Sequence, residues 1–132
     1  MAVAPIAETT TLVLGDHGGN MDNTDLTENN ILYLPVFIKG GLVYMGDLHA
    51  AMGDGEICAM GIECAGEVTA KINLLKNKVL RRPRIEKPKS IITIGSAVKL
   101  EDAIRIAVED MVNLVKEVRN LTDEEACNCL RV

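Results

Sequence analysis

Tryptophan is absent from this chain of 132 residues, and two tyrosines and one phenylalanine are its only aromatic side chains. A core must then be built from Ile, Leu, Val, Ala and Met, and stacking of bases on aromatic faces is not expected. An excess of positive charge is also missing. Fourteen Lys and Arg stand against 19 Asp and Glu, a formal net charge of −5. That is the wrong sign for neutralising a phosphate backbone, so no nucleic-acid partner is expected. The one basic run, Lys76 to Lys89, is short, broken by prolines, and reads as a solvated connector. No apolar run approaches the ~18 residues of a membrane span, because Gly, Asp or Glu interrupts each one. Cys58, Cys64, Cys127 and Cys129 lack the C-x-x-C spacing of zinc ribbons. No basic n-region opens the chain, so the expected location is a reducing cytoplasm, with Cys58 and Cys64 acting as small hydrophobes in a strand-like segment.

What the chain does contain is hydrophobic patterning of two kinds. Thr9 to Leu14, Ile31 to Ile38, Leu42 to Met45, Ile57 to Cys64 and Glu67 to Leu75 read as strands, the last by strict alternation of Val68, Ala70, Ile72 and Leu74 with polar residues. Pro35 removes a ladder donor and marks an edge, bend or bulge. After an extended crossing between Arg81 and Lys89, Ser90 to Ile94 gives one more short strand. From Leu100 the apolar residues recur at three- and four-residue steps through Val118, one face of an amphipathic helix, with Glu101 and Asp102 at its start and Lys116 and Arg119 near its end. Thr122 with Glu125 is a capping box opening a second helix. The expected fold is α+β: a mostly β part, sandwich- or barrel-like, over residues 1–76, then a small α/β part with one long helix over 77–132.

The chemistry-bearing residues crowd into two glycine-rich stretches. In Tyr44 to Glu56, Asp47 and His49 lie two residues apart, as do Asp54 and Glu56, so on extended backbone each pair points to one side. In Gly15 to Asp22, Asp16, His17 and Asp22 sit on a loop whose glycines permit tight turns. Both histidines of the chain therefore fall in glycine- and acid-rich motifs. Asp54-Gly55-Glu56 lacks the ligand spacing of an EF-hand calcium loop. Glu63 and Glu67 read as solvated residues at a strand end.

Three strings carry a resemblance: Gly15-Asp16-His17-Gly18-Gly19-Asn20-Met21-Asp22, Leu32-Tyr33-Leu34-Pro35-Val36, and Gly46-Asp47-Leu48-His49-Ala50-Ala51-Met52-Gly53-Asp54-Gly55-Glu56, followed by Gly95-Ser96-Ala97 and its helix. In register over nearly the whole chain, they resemble the acetamidase/formamidase family. The resemblance implies a β-rich fold with a small α/β appendage, often dimeric, that hydrolyses short aliphatic amides such as formamide and acetamide to ammonia and the carboxylate. It also implies more chain than is present here, with further acidic and histidine-containing motifs upstream and more of the α/β unit downstream.

Hydrolysing an amide requires an activated water, stabilisation of an oxyanion, and a proton for the leaving amine. A divalent metal, zinc first among them, supplies the first two. On this reading Asp47 and His49 are ligands, His17 and Asp16 are additional candidates, and Glu56 backed by Asp54 transfers protons. Neither Ser90 nor Ser96 lies in a motif of comparable density. The alternative is a non-catalytic β-scaffold that binds a metal or a partner, its site completed elsewhere. Either way the expected partners are a small amide and a second copy or complementing chain, since missing segments would leave apolar strand faces uncovered.

Overall fold

Strands and helices alternate with long loops in the computed structural model, which describes residues 1–130. In chain order the elements are β1 (Ala2–Val3), β2 (Ile31–Tyr33), β3 (Val43–Tyr44), β4 (His49–Ala51), β5 (Ile62–Glu63), β6 (Arg84–Lys87), β7 (Ser90–Thr93), α1 (Leu100–Arg119) and α2 (Asp123–Cys129), with one 3₁₀ turn at Asp54–Glu56. The fold is α+β, its strands preceding both helices. They form three small antiparallel sheets, β1-β3, β2-β6-β7 and β4-β5. No helix among the described residues is long and apolar enough to cross a membrane.

The three-stranded sheet is the frame. β6 and β7 form a hairpin through Pro88 and Lys89, and β2 pairs with the other edge of β6. Leu32, Ile85 and Ile92 stand opposite one another across the three strands, so they share a face. That face meets Met21, Ile94, Leu14 and Leu26 in a small core with Ile85 fully buried. β2 belongs to the first 76 residues and β6 to the rest, so the two parts of the chain share this sheet.

The opposite face receives α1. Thr93 donates its hydroxyl to the Ala107 carbonyl at 2.9 Å, and Arg84 on β6 donates two hydrogen bonds, 2.8 and 2.7 Å, to Asp110. Gly95 lets the chain leave β7 against the helix: a Cβ there would stand 2.1 Å from the Ala103 carbonyl. The most buried side of α1 thus runs through Asp110, while Ile104 and Val108 of the expected apolar face remain half exposed. The helix stops at Asn120, which takes the left-handed conformation (φ 52°) and donates its N–H to the Lys116 carbonyl. Thr122 and Glu125 form the reciprocal capping box on α2.

Several expected strands are shorter or absent. Thr9 to Leu14 forms none; Thr10 accepts the Leu12 N–H on its side chain, a local bond that competes with a ladder. The run from Ile31 keeps only three strand residues, and Ile31 is half exposed because β2 has a neighbour on one edge only. Ile57 to Cys64 retains Ile62–Glu63. Cys58 and Cys64, expected as small hydrophobes, are free and exposed, as are Cys127 and Cys129. Glu67 to Leu75 forms no strand because no ladder partner lies beside it among the described residues.

Candidate metal centre

β4 and β5 bring the candidate site together. Their antiparallel register sets His49 directly opposite Glu63, with a bulge between His49 and Ala51 that re-aims the strand. Asp47 precedes β4 in the left-handed conformation (φ 65°), which turns its carboxylate back toward the ring. The His49 Nε2 then lies 3.1 Å from Glu56, 3.2 Å from Glu63 and 3.9 Å from Asp47. Asp47, His49 and Glu63 each offer one ligand atom within 4.8 Å of the other two.

His49 is enclosed, its side chain 5% exposed, whereas Glu63 is 72% exposed. Burial of the ring lowers its pKa, but the Glu63, Asp47 and Glu56 carboxylates together with the Asp47 main chain outweigh it, and the net direction is upward. Nε2 and the nearest Glu56 oxygen are not aligned for a hydrogen bond, and both are buried without a hydrogen-bond partner among the described residues. Gly61 makes this approach possible. A Cβ there would stand 2.2 Å from the His49 ring and 2.5 Å from the Glu56 carboxylate.

Asp54 and Glu56, expected on one side of an extended segment, diverge, because Asp54–Glu56 is a 3₁₀ turn with Gly55 in the left-handed region (φ 73°). Glu56 turns to His49. Asp54 accepts from both the N–H and the hydroxyl of Thr24 at 2.8 Å, and those bonds hold its carboxyl below the usual aspartate range. The Gly55 N–H donates to the Asp22 carbonyl at 2.7 Å. The Gly15 to Asp22 loop is therefore stitched to the turn that carries Glu56.

The ligand atoms that converge within 4.8 Å among the described residues do not include that loop's two candidates. Gly15 and Gly18 exchange hydrogen bonds across the tight turn Asp16-His17. Asp16 lies 3.0 Å from Arg82. His17 is nine-tenths buried between Gly15 and Gly19, its Nε2 without a hydrogen-bond partner among the described residues. Glu63 and Gly61 are the residues that sequence reasoning missed. Nothing local marks them; the signal was the pairing of Ile57 to Cys64 with the motif strand, which would have set an acid across from His49.

A sequence profile of the Acetamidase/Formamidase family matches residues 2–119. The chain is 49% identical over 65 residues to a formamidase of Methylophilus methylotrophus, covering 48% of this chain and 16% of that protein. Against an acetamidase of Mycolicibacterium smegmatis the identity is 39% over 62 residues, 46% of this chain and 15% of that protein. The crystal structure of an acetamidase from Yersinia enterocolitica superposes with a TM-score of 0.93 at 41% identity, covering 98% of this chain and 39% of that one. The chain thus spans less than half the length of these relatives.

Proposed function

This chain belongs to the acetamidase/formamidase family, and from that premise we propose that it carries part of a site for metal-assisted hydrolysis of short linear amides, formamide and acetamide, to ammonia and the carboxylate. The observation that supports this reading best is the cluster around His49: an enclosed imidazole with Asp47 and Glu63 converging on it, its Nε2 and a Glu56 oxygen buried without a hydrogen-bond partner among the described residues. Asp47, His49 and Glu63 would hold the ion, one nitrogen and two oxygen donors that suit zinc. Zinc held there would lower the pKa of a water to about 7 and polarise the amide carbonyl.

The remaining steps fall to the protein. Glu56 takes a proton from the attacking water and returns it to the amide nitrogen as the C–N bond breaks, which makes ammonia the leaving group. Asp54 supports Glu56 by fixing the 3₁₀ turn through Thr24. His17 and Asp16 remain the candidate additional ligands, delivered from the loop that Asp22 joins to Gly55. In the enzyme assembled from this chain and the rest of the family fold, Glu56→Gln should lower ammonia release from acetamide roughly 10²–10⁴-fold and leave zinc bound. Undiminished hydrolysis by that variant would refute the role of Glu56.

A second reading, a metal- or partner-binding scaffold without turnover of its own, is favoured by one fact: this chain covers only 39% of the Yersinia enterocolitica acetamidase. Ammonia release by the chain alone would dispose of it.

A further inference from the structure

Glu56 carries a Cβ and yet takes the left-handed backbone, at φ 39°. That conformation is disfavoured for such a residue and persists only where the contacts around it over-determine it. Here the contacts come from one short segment, Asp22 to Asp25. Asp22, itself left-handed (φ 42°) and accepting from the Asn20 amide at 3.2 Å, aims its carbonyl at the Gly55 N–H, 2.7 Å away. Two residues on, Thr24 donates both its N–H and its hydroxyl to a single oxygen of Asp54, each at 2.8 Å. Asp54 and Gly55 are thus gripped immediately before Glu56. The far end of the segment is fixed as well: the Asp25 carboxylate pairs with Lys87 of β6, and the Asp25 carbonyl accepts from the Asn30 amide at 2.9 Å. One path of contacts therefore runs from the three-stranded sheet to Glu56, whose carboxylate ends 3.1 Å from the His49 Nε2.

We propose that Thr24 is a positioning residue for Glu56: braced on β6 through Asp25 and Lys87, it holds the Asp54–Glu56 turn so that Glu56 stays left-handed with its carboxylate against His49. The hydroxyl is the part that matters. Without it the turn keeps one bond to Asp54 in place of two, and Glu56 is free to relax to the right-handed region, which swings its carboxylate away from the ring. The consequence for turnover rests on the reading of Glu56 as the base; the brace itself does not.

The test follows the full chain by NMR. Thr24 is exposed, so Thr24→Val removes the hydroxyl without disturbing the core. In that variant the Gly55 amide should exchange at least about tenfold faster, while the amides of α1 keep their rates. Glu56 should also lose the strong intraresidue HN–Hα NOE that marks a positive φ. Thr24→Ser should preserve both signals, and Thr10→Val, which removes a hydroxyl that accepts the Leu12 N–H away from this turn, should change neither. In the assembled enzyme Thr24→Val should lower kcat for acetamide about tenfold with KM unchanged, and Thr24→Ser should restore it. Unchanged Gly55 exchange, a Glu56 that stays left-handed in Thr24→Val, or a loss of kcat that Thr24→Ser does not restore would each overturn the proposal. Full turnover by Glu56→Gln beside the expected backbone changes would instead refute the base and keep the brace, so the two failures read differently.

Discussion

One imidazole gathers the acids of this site, and the space it occupies is set by a glycine. His49 and Glu56 close over Gly61, whose backbone does not need the left-handed region, so alanine there acts through volume alone. Gly61→Ala should displace the ring and weaken zinc binding at least about tenfold, a loss of roughly 1.4 kcal/mol, as read by zinc titration. Thr24 acts on the neighbouring carboxylate. Its two hydrogen bonds hold the Asp54 pKa below the ordinary value of about 3.9, so they stabilise the fold above that pH, and the contribution is lost as pH falls through the lower folded value. Thr24→Val should therefore raise the Asp54 pKa in a carbon-detected NMR titration and move acid unfolding to higher pH; an unchanged pKa would show that Thr24 does not hold the turn. Asp47, His49 and Glu56 could be read as candidates from their spacing in one motif. Glu63 could not, since its place opposite His49 depends on strand register, which no short window of sequence contains.

Among elements, the helices were the most legible and the strands the least. α1 follows from its apolar spacing, end charges and left-handed cap, and α2 from Thr122 and Glu125, all of which act within one or two turns. A strand instead needs a partner from elsewhere in the chain, so Thr9 to Leu14 and Glu67 to Leu75, apolar and β-branched as they are, form none here. Even α1 is seated by something its pattern hides: Asp110, a charged residue, is its most buried, held by Arg84 of β6. Removing one partner of such a pair strands the other. Asp110→Ala should destabilise the chain by about 3 kcal/mol in urea unfolding, whereas the double change Arg84→Met with Asp110→Leu should cost far less. Equal losses from the two would mean that the ion pair does not seat the helix.

At the scale of the whole molecule the chain joins a small core to a large uncovered surface. β2, β6 and β7 draw both parts of the sequence into one sheet, and the Asp22 carbonyl and Thr24 tie the first glycine-rich loop to the turn bearing Glu56. The association of the two motif stretches was legible from their composition; the immediate neighbours of the loop's side chains were not, because Asp16 pairs with Arg82 and His17 packs between glycines. A divalent metal taken up by this chain is expected at this cluster rather than at the exposed cysteines. Zinc X-ray absorption on the zinc-titrated chain, compared with its His49→Ala variant, tests it most directly. Nitrogen and oxygen ligands at about 2.0–2.2 Å are expected, with an imidazole signature that His49→Ala removes. A sulfur shell near 2.3 Å, or a zinc environment that His49→Ala leaves unchanged, would contradict it.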